Sequence, residues 1–266
     1  MTSTLSQGTA LITGASSGIG AVYADRLAKR GYDLILVARN RERLNTLAER
    51  LTTETGRTVE VVAADLGSEE GIARLEDILR TDASITTLVN NAGVGAAAPL
   101  LESDAAKMDA MITLNVVSLN RLTRAVAPRL VERGGGTIIN ISSIVAISPE
   151  LLNGVYGGTK AFVLAYSQSL HHELADKGIR VQAVLPGATS TEFWDVAGVP
   201  ISNLPASIVM SAEDMVDASL AGLDQGELVT IPALPDAADW NTFEAARQAL
   251  GPNLSHSKPA ARLLSQ

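Results

Sequence analysis

Thr9-Ala10-Leu11-Ile12-Thr13-Gly14-Ala15-Ser16-Ser17-Gly18-Ile19-Gly20 is the stretch that decides how this chain folds. Thr9 to Ile12 is a short apolar run of the length of a buried strand. From Gly18 to Arg30 the pattern is that of a helix. Between them Gly14, Gly18 and Gly20 stand in a T-G-x-x-x-G-x-G spacing. Glycines at such a junction let the backbone turn tightly and approach a ligand. The helix start then offers free N–H groups and the positive end of its dipole. A strand, a glycine-rich turn and a helix together make a pyrophosphate cradle. Gly14, Ser16, Ser17, Gly18, Ile19 and Gly20 are therefore cofactor-binding candidates.

The same alternation continues outward. Leu34–Ala38, Val59–Val62, Thr87–Val89, Thr137–Ile141 and Arg180–Leu185 read as further strands. Helices are expected over about 41–53, 69–80, 104–131 and from Tyr156 to about 176. Strands alternating with helices predict an α/β chain with a Rossmann-type, doubly wound parallel sheet of about seven strands, helices on both faces. From Pro186 to Ser211 the rhythm breaks into a long irregular segment, expected to supply a substrate lid over about 188–210. A helix over about 212–223, a strand over 228–231 and a helix over about 239–250 follow. No linker or repeat divides the chain, so one domain spans 1–266, with a C-terminal extension over about 232–266.

Bulk properties narrow the function. No cysteine is present, which excludes disulfides, thiolate nucleophiles and cysteine-held zinc. His171 and His172 are neighbours and face apart on a helix, so no metal site is expected. A net charge of −8 argues against nucleic acid. No apolar run is long enough to span a membrane, and Met1 to Gly8 lacks the features of a leader peptide. A cytoplasmic protein with a small-molecule substrate is expected.

Tyr156 and Lys160 lie four residues apart, on one helical face. An ammonium beside a phenol stabilises the phenolate and is expected to lower the phenol's pKa. Tyr156 is thus a candidate general acid–base. Ser143, thirteen residues earlier, can hold a carbonyl or alcohol oxygen before it, with Ser142 as the reserve choice. At the end of the second strand, Ala38-Arg39-Asn40-Arg41 holds no carboxylate. An acidic residue there would bind the ribose 2′-hydroxyl of NAD, whereas Arg39 offers a planar fork to a 2′-phosphate. NADP(H) is the expected cofactor.

Thr13 to Gly20, Asn90-Asn91-Ala92-Gly93, Asn115, Ser143, Tyr156 with Lys160, and Pro186-Gly187 occur in the order and spacing of the short-chain dehydrogenase/reductase family, which residues 8 to 192 resemble. The resemblance implies that Tyr156 passes a proton to a carbonyl oxygen while hydride comes from the nicotinamide. By the same resemblance Lys160 is expected to lower the tyrosine pKa and bond the nicotinamide ribose, and Ser143 to polarise the substrate oxygen. Asn115 holds a water in a relay through Lys160, although buried amides also brace backbone. Asn91, Ala92 and Gly93 line the adenosine side. Asp65 meets the adenine, with a plain turn residue as the alternative, and Leu66 follows it. Pro186, Gly187, Thr189 and Thr191 complete the cofactor site, Thr191 bonding the carboxamide. Family members pair the long helix and the Tyr156 helix across a two-fold axis. A homodimer or homotetramer is expected, with Ala161, Phe162, Leu164, Ala165, Ser169 and Leu170 as the candidate face.

The chain departs from the family at Gly157-Gly158, expected to make room for backbone or cofactor, and in its C-terminal extension. No arginine or lysine occurs from Val181 to Leu223, so a neutral or apolar ketone or aldehyde is the expected substrate. A ketoacyl group on a carrier, or no reaction at all in an NADP-binding regulator, are the alternatives.

Overall fold

Strands and helices alternate through the computed structural model, which describes residues 7–264. Residues 1–6, most of the stretch read for a leader, lie outside the described residues. The elements are β1 (Thr9–Thr13), α1 (Gly18–Lys29), β2 (Asp33–Ala38), α2 (Arg41–Thr55), β3 (Val59–Ala63), α3 (Glu69–Thr81) and β4 (Ile85–Asn90). After these come α4 (Ala105–Ile112), α5 (Leu119–Glu132), β5 (Gly136–Ile141), α6 (Gly154–Leu174) and β6 (Ile179–Val184). The last are α7 (Phe193–Ala197), α8 (Ala212–Asp224), β7 (Val229–Thr230) and α9 (Ala237–Ala249).

Among the described residues the strands form one parallel sheet in the order β3-β2-β1-β4-β5-β6-β7. β1 is buried along its whole length, which is why it reads as a continuous apolar run. One face carries Ile12, Tyr23, Leu27, Leu36, Leu44 and Leu220, from the sheet and α1, α2 and α8. The other carries Leu11, Ile35, Leu75, Leu79, Leu122 and Leu170, from the sheet and α3, α5 and α6. The strand order reverses between β1 and β4, and a crevice at the carboxyl ends of strands forms at such a reversal. That crevice lies beside the glycine-rich turn.

Two expectations are corrected. The long helix expected over 104–131 is interrupted by a π-helical turn at Thr113–Ser118, between α4 and α5. A π turn closes over five residues instead of four and inserts one extra residue, which a 3.6-residue pattern does not reveal. The segment after Pro186 is not wholly irregular. It contains α7 and a bridge pairing Thr189 with Met210.

The chain divides into two compact units, Met1–Pro232 and Ala233–Gln266. The second begins where the extension was read. Within it, α9 is capped by Asp236, and Trp240 and Phe243 pack ring to ring at 5.4 Å.

Candidate active site

The glycine-rich turn is built as a cradle. Gly14 and Gly18 have φ of +65° and +51°, a backbone conformation that side chains disfavour. At Gly20 a Cβ would sit 2.3 Å from the Gly14 carbonyl oxygen, so only glycine fits. Thr13 holds the turn from below: its hydroxyl donates to the Val89 carbonyl and accepts the N–H groups of Asn91 and Ala92, each at 3.0 Å. The Asn91 amide donates to the carbonyls of Thr13 at 2.9 Å and Gly14 at 3.1 Å. Asn91 thereby braces the cradle through its side chain.

α1 starts at Ser17 with no side-chain cap and no acidic residue in its first turn. By contrast α2, α3 and α8 are capped by Asn40, Ser68 and Ser211. Free N–H groups at a positive helix end fit a pyrophosphate. Arg39, exposed just beyond β2, makes no hydrogen bond or ion pair to another described residue, so its guanidinium is available to a phosphate. These features fit a phosphorylated dinucleotide.

Other expected cofactor residues fare unevenly. Asp65 is exposed, with Oδ1 accepting the Gly67 N–H at 2.9 Å, the turn arrangement kept as its alternative. The Leu66 side chain is buried in the core, so its backbone is the part open to a ligand. Thr189 is buried, its hydroxyl donating to Gly187 O at 3.2 Å. Thr191 approaches the cradle, with Cγ2 3.0 Å from the point where a Gly18 Cβ would stand. Pro186 O accepts the Ile144 N–H at 3.0 Å and lies 3.4 Å from Ser143 Oγ. Gly93 is exposed, and a Cβ on it would meet Asn115 Oδ1 at 3.1 Å and Lys160 Nζ at 3.5 Å.

Asn115, Ser143, Tyr156 and Lys160 converge. Ser143 lies beside the Tyr156 phenol, and its hydroxyl accepts the Val145 N–H at 3.3 Å. Lys160 Nζ donates to Ile141 O at 2.9 Å and stands 5.8 Å from the Tyr156 ring centre. Asn115, on the π turn, donates to Val94 O at 2.9 Å and Thr159 Oγ1 at 3.1 Å and accepts the Val94 N–H at 3.0 Å. Its amide thus braces the strand-end loop. Ser142 Oγ donates to Lys160 O at 2.8 Å, so it supports the backbone of α6 while Ser143 faces the phenol.

The expected lowering of the tyrosine pKa is corrected. Burial pushes the Tyr156 phenol up to about 12, against the opposing hydrogen bond from Ser143. Burial also pulls the Lys160 ammonium down to about 8. Both groups lie inside the protein, where burial disfavours the charged form of each.

The sequence reading missed three supports. Asn153 caps α6, accepting the N–H groups of Val155 at 2.8 Å and Tyr156 at 3.4 Å, while its amide donates to Ala98 O at 2.6 Å. It fixes both the start of the Tyr156 helix and the loop opposite. An Asn just before a helical run was its visible signal. Thr13 and Thr159 carry no local signal, because their partners are distant in sequence. Around Tyr156 lie Val94, Ala96, Met108, Met111, Val145, Leu152, Val155 and Phe193, an apolar surround.

The model of the short chain dehydrogenase family matches residues 8–198. The chain belongs to the short-chain dehydrogenase family. Among solved structures, this dehydrogenase is similar to a short-chain dehydrogenase from Sphingobium yanoikuyae in complex with NADPH. The TM-score is 0.93 at 49% identity, covering 96% of this chain and 99% of that one. It is also similar to the bulky-bulky ketone specific alcohol dehydrogenase from Comamonas testosteroni, with TM-score 0.90, 46% identity and coverage of 98% and 100%. Among curated proteins it is 38% identical over 197 residues to the very-long-chain 3-oxoacyl-CoA reductase of Anas platyrhynchos, covering 71% of this chain and 62% of that protein's length. Among the described residues no helix is long and apolar enough to cross a membrane, and no cluster of three or more His, Asp or Glu side chains is placed to hold a metal.

Proposed function

We propose that this short-chain dehydrogenase uses NADPH to reduce neutral, apolar ketones, including ketones with two large substituents. The observation that carries the reading is the apolar cluster that holds Tyr156, with Ser143 beside its phenol. Such a site accepts an uncharged carbonyl and excludes a carboxylate or phosphate. The lid adds no positive charge, and its Glu192 is neutralised by Arg43 at 2.7 Å. The Sphingobium relative's complex with NADPH and the exposed Arg39 support the cofactor; the Comamonas relative's name supports the substrate class.

A nicotinamide held in the cradle would supply hydride for the carbonyl carbon. Ser143 Oγ holds and polarises the carbonyl oxygen. The Tyr156 hydroxyl, fully protonated at neutral pH, gives its proton to that oxygen. Lys160 Nζ would hold the ribose hydroxyls of the cofactor and, as an ammonium, would stabilise the phenolate left behind. Asn115 keeps the Val94 loop in place beside them. The exposed Phe162, Ala165 and Ser169 offer a face for a dimer, while Leu164 and Leu170 are already buried within the subunit.

The test is NADPH oxidation with a panel of neutral aldehydes, ketones and diketones, run beside Tyr156→Phe. Turnover that vanishes in the variant while NADPH binding persists supports the reading; turnover retained by the variant overturns it. A 3-oxoacyl-CoA belongs in the panel, because the similarity to the Anas reductase favours a ketoacyl substrate as the second reading. NADPH binding without turnover of any compound points to the regulator.

A further inference from the structure

We propose that Phe193 is the specificity-determining side chain of this site, setting how large a carbonyl substituent reaches Tyr156; this rests on the ketone-reductase reading. Phe193 opens α7, and its ring centre lies 5.7 Å from that of Tyr156, tilted by 45°. On another side the ring meets Gly95, where a Cβ would come within 2.2 Å of the Phe193 Cζ. Gly95 does not have a positive φ, so its backbone does not demand glycine. The phenyl ring occupies the space that a side chain at 95 would need.

The ring is seated but not built into the core. Phe193 is half-buried. Behind it the Trp194 ring stands edge-on at 5.5 Å, itself buried and anchored by an Nε1–H bond to Thr189 O at 2.8 Å. Before it, Glu192 pairs with Arg43, with both side chains about half exposed to water. Exposed ion pairs are weak, so the turn can yield on that side while Trp194 stays seated. Met108 and Met111, near Tyr156, are adaptable walls that leave selection to the stiffer ring. A carbonyl compound that reaches the Tyr156 hydroxyl has to share volume with Phe193.

The experiment measures binding of deoxybenzoin, which carries two aromatic rings, and of cyclohexanone to the enzyme–NADP+ complex by calorimetry, where no ketone is reduced. It compares the wild type with Phe193→Ala, Phe193→Leu, Gly95→Ala and the Gly95→Ala/Phe193→Ala double variant, and follows kcat/KM with NADPH in parallel. The ratio of deoxybenzoin to cyclohexanone affinity is expected to rise about tenfold or more in Phe193→Ala, and less in Phe193→Leu. Gly95→Ala is expected to weaken both ketones, and the double variant to recover them, because the clash is with the ring itself. A ratio unchanged within about twofold in both Phe193 variants, or no deoxybenzoin binding to Phe193→Ala, overturns the assignment. Failure of the wild type to turn over either ketone counts against the reductase reading, while the binding ratio still decides the role of Phe193.

Discussion

Lys160 Nζ stands 5.8 Å from the centre of the Tyr156 ring, and both side chains are almost fully withdrawn from water. Burying the Lys160 ammonium costs stability. Burial holds the amine at about 8 and the phenol at about 12, against ordinary values of about 10.4 and 10. Below pH 8 Lys160 is protonated in both folded and unfolded chains, and the folded state carries the whole desolvation penalty. Between about 8 and 10.4 only the unfolded chain keeps that proton, so stability rises with pH. Tyr156 acts oppositely: its contribution is complete below about pH 10 and is lost as pH climbs through about 12. Urea midpoints from about pH 8 to 10 should show the rise. Lys160→Met should remove it, raise the midpoint at pH 7 and abolish turnover. An unchanged slope in the variant would refute this account.

Arg39 should discriminate between cofactors. Removing one charge-assisted bond to a phosphate costs about 1.5–3 kcal/mol, or roughly ten- to hundredfold in affinity. Arg39→Ala is expected to weaken NADPH by that factor and to leave NADH binding unchanged. Fluorescence titration with each nucleotide measures both. Equal weakening of the two would show that Arg39 does not read the 2′-phosphate.

Gly157 and Gly158 should respond differently to alanine. A Cβ at Gly157 would lie 3.2 Å from Pro149 Cβ, whereas one at Gly158 meets nothing within 4 Å. Within the chain itself, only Gly157 of this pair is crowded, against Pro149. Gly158→Ala should gain the helix propensity of about 0.5–1 kcal/mol, a Tm increase of about 2 °C. Gly157→Ala should gain less or lose stability. Thermal scans that rank the two the other way would contradict the packing described here.

Asp25 should govern stability in acid. It is buried in α1 and receives bonds from Lys29 at 2.7 Å, Arg26 at 2.7 Å and Arg50 at 3.1 Å. Burial raises its pKa, but the three cations outweigh burial and hold the carboxyl at about 2. A depressed carboxylate contributes fully above its ordinary pKa of about 4 and loses that contribution as pH falls through 2. Asp25→Asn should lower Tm at pH 7 and flatten its dependence between pH 4 and 2. Circular dichroism melts across that range provide the check.

The sheet was legible because its cause is local. β1 is buried throughout, so its apolar run shows in the sequence, and Gly14 and Gly18 mark the positive φ of the turn that follows. Tyr156 and Lys160 were legible because four residues on a helix always share a face. The π turn was not, since one inserted residue leaves the composition of a helix unchanged. The amino-acid order by itself determined the α/β alternation, the glycine-rich turn and the pairing of Tyr156 with Lys160 on one helix face. Only the tertiary structure decided that Asn115 and Asn91 brace backbone, that Leu66 is spent in the core, and that Phe193 leans on Tyr156 through the space left by Gly95. Those outcomes depend on contacts between residues far apart in the chain, and on the loss of water around them, which no local pattern encodes.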